Sequence, residues 1–217
     1  MLDATSGAQR ASRHVPASRS RSLGVALLAA SLLASLIAVP AAASTSSTVR
    51  IPAVTTYATL TAQWGPEELF VLGLTNCTRT GGWVLSDGSC RGYGSGRYSA
   101  YVAPLRHSAG ISTLVARPYA RLLAVRGQCS HFLDGDPGDR LRRAGYRGYT
   151  WGENIGCRDG YSYARTAVLK SHLNFQAEKS SNGGHWKNIK NSKFKWIGIG
   201  VWKYGSRVRL VTDFYSG

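Results

Sequence analysis

The first 43 residues determine how much of this chain can belong to a folded domain. A positive region with four Arg precedes an apolar run over residues 23–39, and Pro40 with Ala41-Ala42-Ala43 ends that run. This order is typical of a secretory signal peptide, here cleaved after Ala43. A membrane anchor is the alternative, but the apolar run is short for a bilayer and the cleavage site follows it directly. We therefore expect a secreted, extracellular protein.

Cleavage leaves 174 of the 217 residues, an ordinary size for one domain. Residues 44–65 contain many Ser, Thr and Ala and are interpreted as a linker or lead-in, so the domain spans residues 66–217. The signal segment holds four Arg and one Asp, so +13 of the net charge of +16 stays with the mature chain. Such a charge favours contact with polyanions, although a merely soluble basic surface explains it equally well.

Cysteine usage agrees with export. Cys77, Cys90, Cys129 and Cys157 are an even number of cysteines, which predicts two disulfides in an exported chain. A zinc site would need closely spaced pairs, and the sequence has none. Composition alone allows three pairings of four cysteines.

Helix signals dominate the first two thirds of the domain. Pro66 with Glu67 and Glu68 predicts a helix start, and Gly81-Gly82 ends that helix. Further helices are expected over residues 108–126, over a short segment after Asp136, and over residues 163–178. Pro118 should kink or divide the second of these helices.

The end of the chain is predicted to be β-structure. Residues 194–202 and 207–214 are rich in Val, Ile and aromatic side chains, and residues 204–206 form a turn between them. Helices followed by a hairpin predict an antiparallel sheet with helices packed on it, which is an α+β layered fold.

Three short segments place one coordinating side chain beside glycine or aromatic residues. They contain His131, Glu153 and His185. Glycine allows a close approach of backbone and ligand, but a lone His is more often a hydrogen-bonded structural residue. The remaining domain histidines are His107 and His172.

At these segments the sequence resembles the CAP superfamily of SCP domains, which includes cysteine-rich secretory proteins, venom allergens and many bacterial exported proteins. The resemblance covers about residues 66–215. The matching residues are Leu72, Asn76 and Arg79; Ser130-His131 with Pro137-Gly138-Asp139-Arg140 and Ala144-Gly145-Tyr146; Gly152-Glu153-Asn154-Ile155; and Gly184-His185 with Asn188-Ile189 and residues 197–201.

This resemblance implies a three-layer α-β-α sandwich with a central antiparallel sheet and a cleft. Family members often hold two His and two acidic residues there, and some bind Zn²⁺ or another divalent ion. By motif, His131, Glu153 and His185 are three of the four candidate metal ligands. The fourth family position aligns near Asn174, a departure from the family, so Glu178 one turn further and His172 are the alternatives. For the disulfides we expect Cys77–Cys90 and Cys129–Cys157.

Three functions remain open at this stage. The first is a monomeric CAP-like domain that binds a small ligand, a lipid or a polymer in a His/Glu cleft, with a divalent metal such as Zn²⁺ as candidate cofactor. The second is a metal-assisted or acid–base hydrolase that uses the same residues. The third is a basic protein that binds a cell-wall polyanion. We assign no catalytic residue, lean against an enzyme, and expect no specific binding of nucleic acid.

Overall fold

The computed structural model describes residues 62–148 and 150–217. The predicted signal peptide, its cleavage site and most of the predicted linker lie outside these residues. The helical segments are α1 (Gly65–Arg79), α2 (Ala109–Ile111), a π-helical turn (Ser112–Ala116), α3 (Arg117–Arg126), α4 (Pro137–Arg143), α5 (Ala164–Ala177), a 3₁₀ turn (Glu178–Ser181) and α6 (Gly184–Lys190). The strands are β1 (Trp83–Val84), β2 (Cys90–Arg91), β3 (Arg106–His107), β4 (Thr150–Arg158), β5 (Trp196–Tyr204) and β6 (Arg207–Ser216).

The central sheet has the strand order β3-β5-β6-β4. Its three long strands are antiparallel neighbours, and β5 and β6 form the predicted hairpin around Gly205. The antiparallel sheet is therefore confirmed for these strands. The two residues of β3 differ, because they join the edge of β5 in parallel as the chain enters α2.

Helices cover both faces of this sheet, which confirms the α+β class and the α-β-α layers. On one face, α1, α5 and α6 pack against the hairpin; members of this core include Val71, Leu72, Val168, Phe175, Ile189, Ile197, Ile199, Leu210 and Phe214. On the other face, α3 and the π-helical turn pack against β5 and β6, with Ile155 of β4 at the margin; members include Val115, Ala116, Tyr119, Leu123, Ile155 and Val211. Because both faces are buried, the hairpin strands are apolar on both sides.

Pro118 does not break the helical segment over residues 109–126. It lies in the first turn of α3, and the preceding turn Ser112–Ala116 is π-helical. Proline has no N–H for the carbonyl four residues earlier, and its ring crowds that carbonyl. A wider turn before Pro118 relieves this conflict while the helix continues.

Two elements near the candidate site were not assigned from the sequence. Strand β4 carries Gly152, Glu153, Asn154 and Gly156, so it lacks the alternating apolar pattern of a strand. Helix α6 has seven residues and starts at Gly184, a residue that disfavours helix. In both cases, tertiary packing rather than local pattern determines the conformation.

Arg79 connects the first helix to the segment that follows α6. Its side chain is buried, and its guanidinium donates hydrogen bonds to the carbonyl oxygens of Ala103, Ile189, Asn191 and Phe194 at 2.5–2.8 Å. Burial lowers the pKa of Arg79 to about 10. The carbonyl dipoles therefore stabilise a buried cation and fix three chain segments around one side chain.

Candidate functional site

Strand β4 separates the candidate site into two sides. Side chains alternate along a strand, so Glu153 and Asn154 point to opposite faces of the sheet. Glu153 faces α3 and α4, where it contacts His131. Asn154 faces α6, where its Nδ2 donates to the backbone carbonyl oxygen of His185 at 3.1 Å.

His131 and Glu153 form the first pair of predicted site residues. Nδ1 of His131 lies 2.7 Å from Oε1 of Glu153. The Glu153 side chain is almost completely buried, whereas the His131 side chain is 39% exposed. Because the carboxylate occupies Nδ1 and orients the ring, Nε2 is the nitrogen of His131 that is open to a ligand.

Arg140 holds the second oxygen of Glu153. Its Nη2 lies 2.5 Å from Oε2, and its Nη1 donates to the carbonyl oxygens of His131 and Gly135. The guanidinium also stacks over the ring of Tyr119, with Cζ 3.5 Å from the ring centroid. Arg140 therefore neutralises the buried carboxylate and fixes the loop that carries His131.

A second carboxyl group lies next to this pair. Asp213 on β6 stands opposite Glu153 in the strand register and is completely buried. Neither of its carboxyl oxygens has a hydrogen-bond partner among the described residues. Burial raises the pKa of Asp213 well above its usual range; the negative charge of Glu153 adds to this increase, and the positive charge of Arg140 opposes it. The surroundings of Asp213 thus favour the neutral form of its carboxyl group.

His185 and Glu178 form the second pair, on the α6 side. Nδ1 of His185 lies 2.5 Å from Oε1 of Glu178, and the ring stacks on Phe175 with centroids 4.4 Å apart. Burial alone would raise the pKa of Glu178, but hydrogen bonds and charge attraction from His185 leave that pKa below its usual value. Both side chains are 31% exposed, so Nε2 of His185 is also the open nitrogen.

Glu178 has a further role at the start of α6. Its Oε2 accepts a hydrogen bond from the backbone N–H of His185 at 2.9 Å. A side chain at Gly183 would place its Cβ 2.5 Å from the same oxygen, so only glycine allows this approach. The 3₁₀ turn and α6 therefore hold Glu178 and His185 together through backbone as well as side-chain contacts.

Asn154 and Asn188 connect the two pairs through the strand. Nδ2 of Asn188 donates to Oδ1 of Asn154 at 2.8 Å and to the backbone carbonyl oxygen of Glu153 at 3.1 Å. Since Asn154 also bonds the carbonyl of His185, this amide network fixes α6 against β4. Both asparagines belong to the motifs singled out in the sequence, but they had been given no role there.

The structure distinguishes the three alternatives for the fourth candidate residue by their surroundings. Glu178 contacts His185 directly. His172 is buried between α1 and α5, where its Nε2 lies 2.9 Å from Oγ1 of Thr78. Asn174 lies on the exposed side of α5. Glu178 lies beyond the end of α5, in the 3₁₀ turn that leads into α6, and this position brings it to His185.

The four candidate metal ligands are arranged as two pairs. Within residues 62–148 and 150–217, no three His, Cys, Asp or Glu side chains are grouped so that they could hold one metal ion. A structural or catalytic zinc ion normally has three or four protein ligands. The described side chains therefore do not fit a dedicated zinc site.

Both expected disulfides are present. Cys129–Cys157 links the segment before His131 to the end of β4, and Cys77–Cys90 links the end of α1 to β2. Each bond closes a loop beside a candidate element, and the first keeps His131 next to Glu153. Disulfides of this kind are typical of secreted proteins. In the described part of the chain, no helix combines the length and apolar character needed to cross a bilayer.

Two residues of the site were missed by sequence reasoning. Arg140 was quoted only as part of a motif, and Asp213 was not noticed. A signal for Asp213 exists, because it is the single acidic residue within the apolar strand of residues 207–214. A buried acid in a core strand points to a special environment.

No family model matches the sequence, and no curated protein matches it. Among solved structures, an extracellular protein containing a SCP domain from Bacillus anthracis str. Ames is 20% identical, with a TM-score of 0.43, over 54% of this chain and 35% of that chain. NaASP2, solved with Zn²⁺, is 14% identical, with a TM-score of 0.45, over 70% of this chain and 80% of that chain. The Ancylostoma-secreted protein Ac-ASP-7 is 17% identical, with a TM-score of 0.43, over 70% of this chain and 69% of that chain.

The Bacillus protein contains a SCP domain, the domain of the family that the motifs of this sequence resemble. This chain spans about a third of the length of the Bacillus protein. The chemistry of the two His–Glu pairs follows from the contacts within this chain.

Proposed function

We propose that this protein is an exported CAP-like domain that binds a small or polymeric ligand at its two His–Glu pairs. One observation carries the proposal: both motif histidines have Nδ1 occupied by a carboxylate while their rings stay partly exposed. A structural histidine would bury the ring and use both nitrogens, as the buried His172 illustrates in part. Oriented, accessible imidazoles are suited to recognise polar groups of a ligand.

The rigidity of the site supports binding rather than a purely structural role. Glu153 is fixed by Arg140, and Glu178 is fixed by the backbone N–H of His185. A ligand therefore meets preorganised groups and does not have to order them, which favours affinity. Nε2 of each ring can accept a hydrogen bond from a hydroxyl or amide, or donate one when the imidazole is protonated.

The proposal includes weak binding of a divalent ion such as Zn²⁺. At each pair the donor atom would be the open imidazole nitrogen, which is Nε2 of His131 on one side of β4 and Nε2 of His185 on the other. The two carboxylates already bond the imidazoles and Arg140, and the described residues offer no group of three ligands. Such an ion would therefore keep mostly water ligands.

Recovery of the protein from its own culture medium tests the binding proposal. Small molecules extracted from the wild type would be compared by mass spectrometry with those from His131→Ala and His185→Ala, and with Tyr163→Ala, an exposed position away from the site, as matched control. We expect a compound that is retained by the wild type and the control and lost from both histidine variants. Identical extracts from all four folded proteins would contradict the proposal. Turnover of an ester or peptide that only His131→Ala abolishes would instead assign a hydrolase.

Binding of an anionic wall polymer is the second candidate function. Arg121 stacks over Trp202, and Arg207 stacks over Tyr204, whose ring is half exposed at the end of the hairpin. These cations and aromatic rings form a surface suited to a polyanion. Binding to polyphosphate should weaken steeply with salt and weaken further in Arg121→Ala. Salt-independent binding would exclude this function.

A further inference from the structure

An exposed aromatic ring lies beside the first His–Glu pair. Phe132 is 72% exposed, and its ring lies edge-to-face to the ring of His131, with the two centroids 6.2 Å apart. A single exposed phenylalanine on a protein surface needs no explanation. Phe132 differs because it adjoins the imidazole whose Nε2 is open, so a ligand that is bound to His131 can also cover the phenyl ring.

Hydrogen bonds and a disulfide fix the segment that presents these two rings. The backbone N–H of Phe132 donates to Oγ of Ser130 at 3.1 Å. The hydroxyl of Tyr119 donates to the carbonyl oxygen of Ser130 and accepts from the N–H of Leu133. The disulfide at Cys129 anchors the start of the same segment. The backbone that carries Phe132 is therefore preorganised, and a ligand does not have to order it.

The second His–Glu pair has a different aromatic neighbour. The ring of His185 stacks on Phe175 with centroids 4.4 Å apart, but Phe175 is only 5% exposed and belongs to the core. A ligand at His185 cannot reach the face of that ring. Of the two aromatic neighbours, Phe132 is therefore the one that offers an open face, and the two pairs differ in the ligand surface that they present.

The charges around His131 are already paired. Glu153 contacts both His131 and Arg140, and Asp134 forms an ion pair with Arg143. A charged ligand would have to compete with these partners, whereas a neutral ligand would not. The chemistry next to Phe132 therefore favours an uncharged molecule that can form a hydrogen bond with the imidazole.

The exposure of Phe132 also favours a flat ligand over an acyl chain. Ligands with mostly apolar surface bind in concave sites that bury most of that surface, and a ring that is 72% exposed does not provide such a site. A pyranose ring has C–H groups on its faces and hydroxyls on its rim. The negative face of an aromatic ring attracts polarised C–H groups, so one open ring and one hydrogen-bonding neighbour are sufficient for a sugar.

From this arrangement we propose that the His131–Glu153 pair binds a neutral oligosaccharide, one pyranose ring of which stacks on Phe132. The C–H face of the sugar packs against the phenyl ring. A sugar hydroxyl donates a hydrogen bond to Nε2 of His131, whose Nδ1 is held by the carboxylate of Glu153. This inference rests on the binding function proposed for the pair and adds the class of ligand.

Nuclear magnetic resonance titration of the wild-type protein tests the ligand class with three probes. Cellotriose is the neutral saccharide, trigalacturonate is an acidic saccharide, and decanol is an apolar chain with one hydroxyl. We expect cellotriose to bind with millimolar affinity, more tightly than the other two, and to move the ring resonances of Phe132 and His131 together. Tighter binding of trigalacturonate or decanol would overturn the neutral saccharide class. Absence of cellotriose binding would overturn the proposal.

Variants of Phe132 separate stacking from general apolar contact. Phe132→Ala and Phe132→Leu both remove the aromatic face, whereas Phe132→Trp keeps it. We expect the first two to weaken cellotriose binding about fivefold and Phe132→Trp to bind at least as tightly as the wild type. Tyr163→Ala is the matched control, because Tyr163 is an equally exposed aromatic residue at 75%, and its loss should leave binding unchanged. Wild-type affinity in Phe132→Leu would overturn the stacking.

His131→Ala separates this inference from the proposed function on which it rests. We expect this variant to weaken cellotriose binding as Phe132→Ala does. Loss of binding in His131→Ala together with wild-type binding in Phe132→Ala would overturn the role of Phe132 and leave a ligand site at His131 standing. Failure of the proposed function itself would appear in the other experiment, as identical extracts from the wild type and the histidine variants.

Discussion

Asp213 and Glu153 are opposite one another on neighbouring strands, and both carboxyl groups lie on the buried α3 side of the sheet. Two carboxylates at such positions cannot both be ionised at low cost. Arg140 forms an ion pair with Glu153, whereas burial and the negative charge of Glu153 raise the pKa of Asp213. The two buried acids of the site therefore differ, because Glu153 has the ion pair with Arg140 and Asp213 is the acid whose pKa is raised.

Replacement of Asp213 by Asn should stabilise the protein at neutral pH. The folded-state pKa of Asp213 is raised, so the contribution of this group to stability is complete below the ordinary value of 3.8 and is lost as the pH rises toward the folded-state pKa. The loss reaches about 1.4 kcal/mol per pH unit in that window. Asp213→Asn has no ionisable group at this position and therefore avoids this pH-dependent loss. Urea unfolding from pH 4 to pH 8 measures the difference, and a variant that is less stable than the wild type at pH 8 would contradict the assignment.

His172 should make the protein sensitive to acid. Burial lowers the pKa of His172 to about 3, below the ordinary value of 6.5. Between these two pH values His172 binds a proton in the unfolded chain but stays neutral in the folded protein. The contribution of His172 to the free energy of unfolding is therefore fully present above pH 6.5. It falls as the pH drops below 6.5, by about 2 kcal/mol at pH 5. His172→Gln should be less stable at pH 7 but lose less between pH 7 and pH 5. Equal losses for both proteins in thermal unfolding would show that other groups cause the acid sensitivity.

Arg79 should not be replaceable by Lys. Four carbonyl oxygens accept hydrogen bonds from its guanidinium, and an ammonium cannot reach all of them. We expect Arg79→Lys to cost about 3 kcal/mol in the free energy of unfolding. Arg91 is exposed and provides the matched control, since Arg91→Lys should change stability by less than about 0.5 kcal/mol. A cost for Arg79→Lys as small as that of the control would contradict the role of Arg79.

The two disulfides should differ in their effect on the site. Loop closure predicts a loss of about 3 kcal/mol when Cys77 and Cys90 are both changed to Ala, and slightly more for Cys129 and Cys157, because their loop is longer. Only the second change releases the segment of His131. Its ring resonances should therefore move in that variant alone. Unchanged His131 resonances in a folded Cys129→Ala, Cys157→Ala protein would show that Arg140 is sufficient to hold the segment.

Protein recovered from the culture medium should begin near Ser44. The prediction rests on the apolar run that ends at Pro40 and on the small residues that follow it. Intact-mass spectrometry of the secreted form measures the amino terminus. A chain that retains residues 1–43 and stays in the membrane fraction would show that this segment is an anchor.

The fold was predictable where local signals and tertiary packing agree. Proline and glutamates at the start of α1, the capping box formed by Asp136 and Asp139, and the apolar hairpin all encode their own conformation. Strand β4 was not predictable in this way. Its glycines are required by neighbours, since a side chain at Gly152 would meet Asn188 and one at Gly156 would meet Ser171.

The sequence predicted which histidines and acids belong to the candidate site, but it did not predict which of them pair with each other. His131, Glu153, His185 and Glu178 were all candidates from the sequence, yet alternation along β4 separates them into two pairs. That separation depends on the strand register, which becomes visible only when β4 is aligned with β6. The burial of His172 depends likewise on the packing of α5 against α1, which the helical pattern of α5 alone did not specify.

The contact between Asn188 and β4 has a consequence for how this protein behaves at high concentration. Strand β4 is the last strand of its sheet, and a bare sheet edge invites pairing with the strand of another molecule. Nδ2 of Asn188 donates a hydrogen bond to the backbone carbonyl oxygen of Glu153 on that strand. The Cys129–Cys157 disulfide holds the segment around Cys129 against the end of β4. The residues that assemble the candidate site thereby also cover part of this sheet edge against intermolecular strand addition.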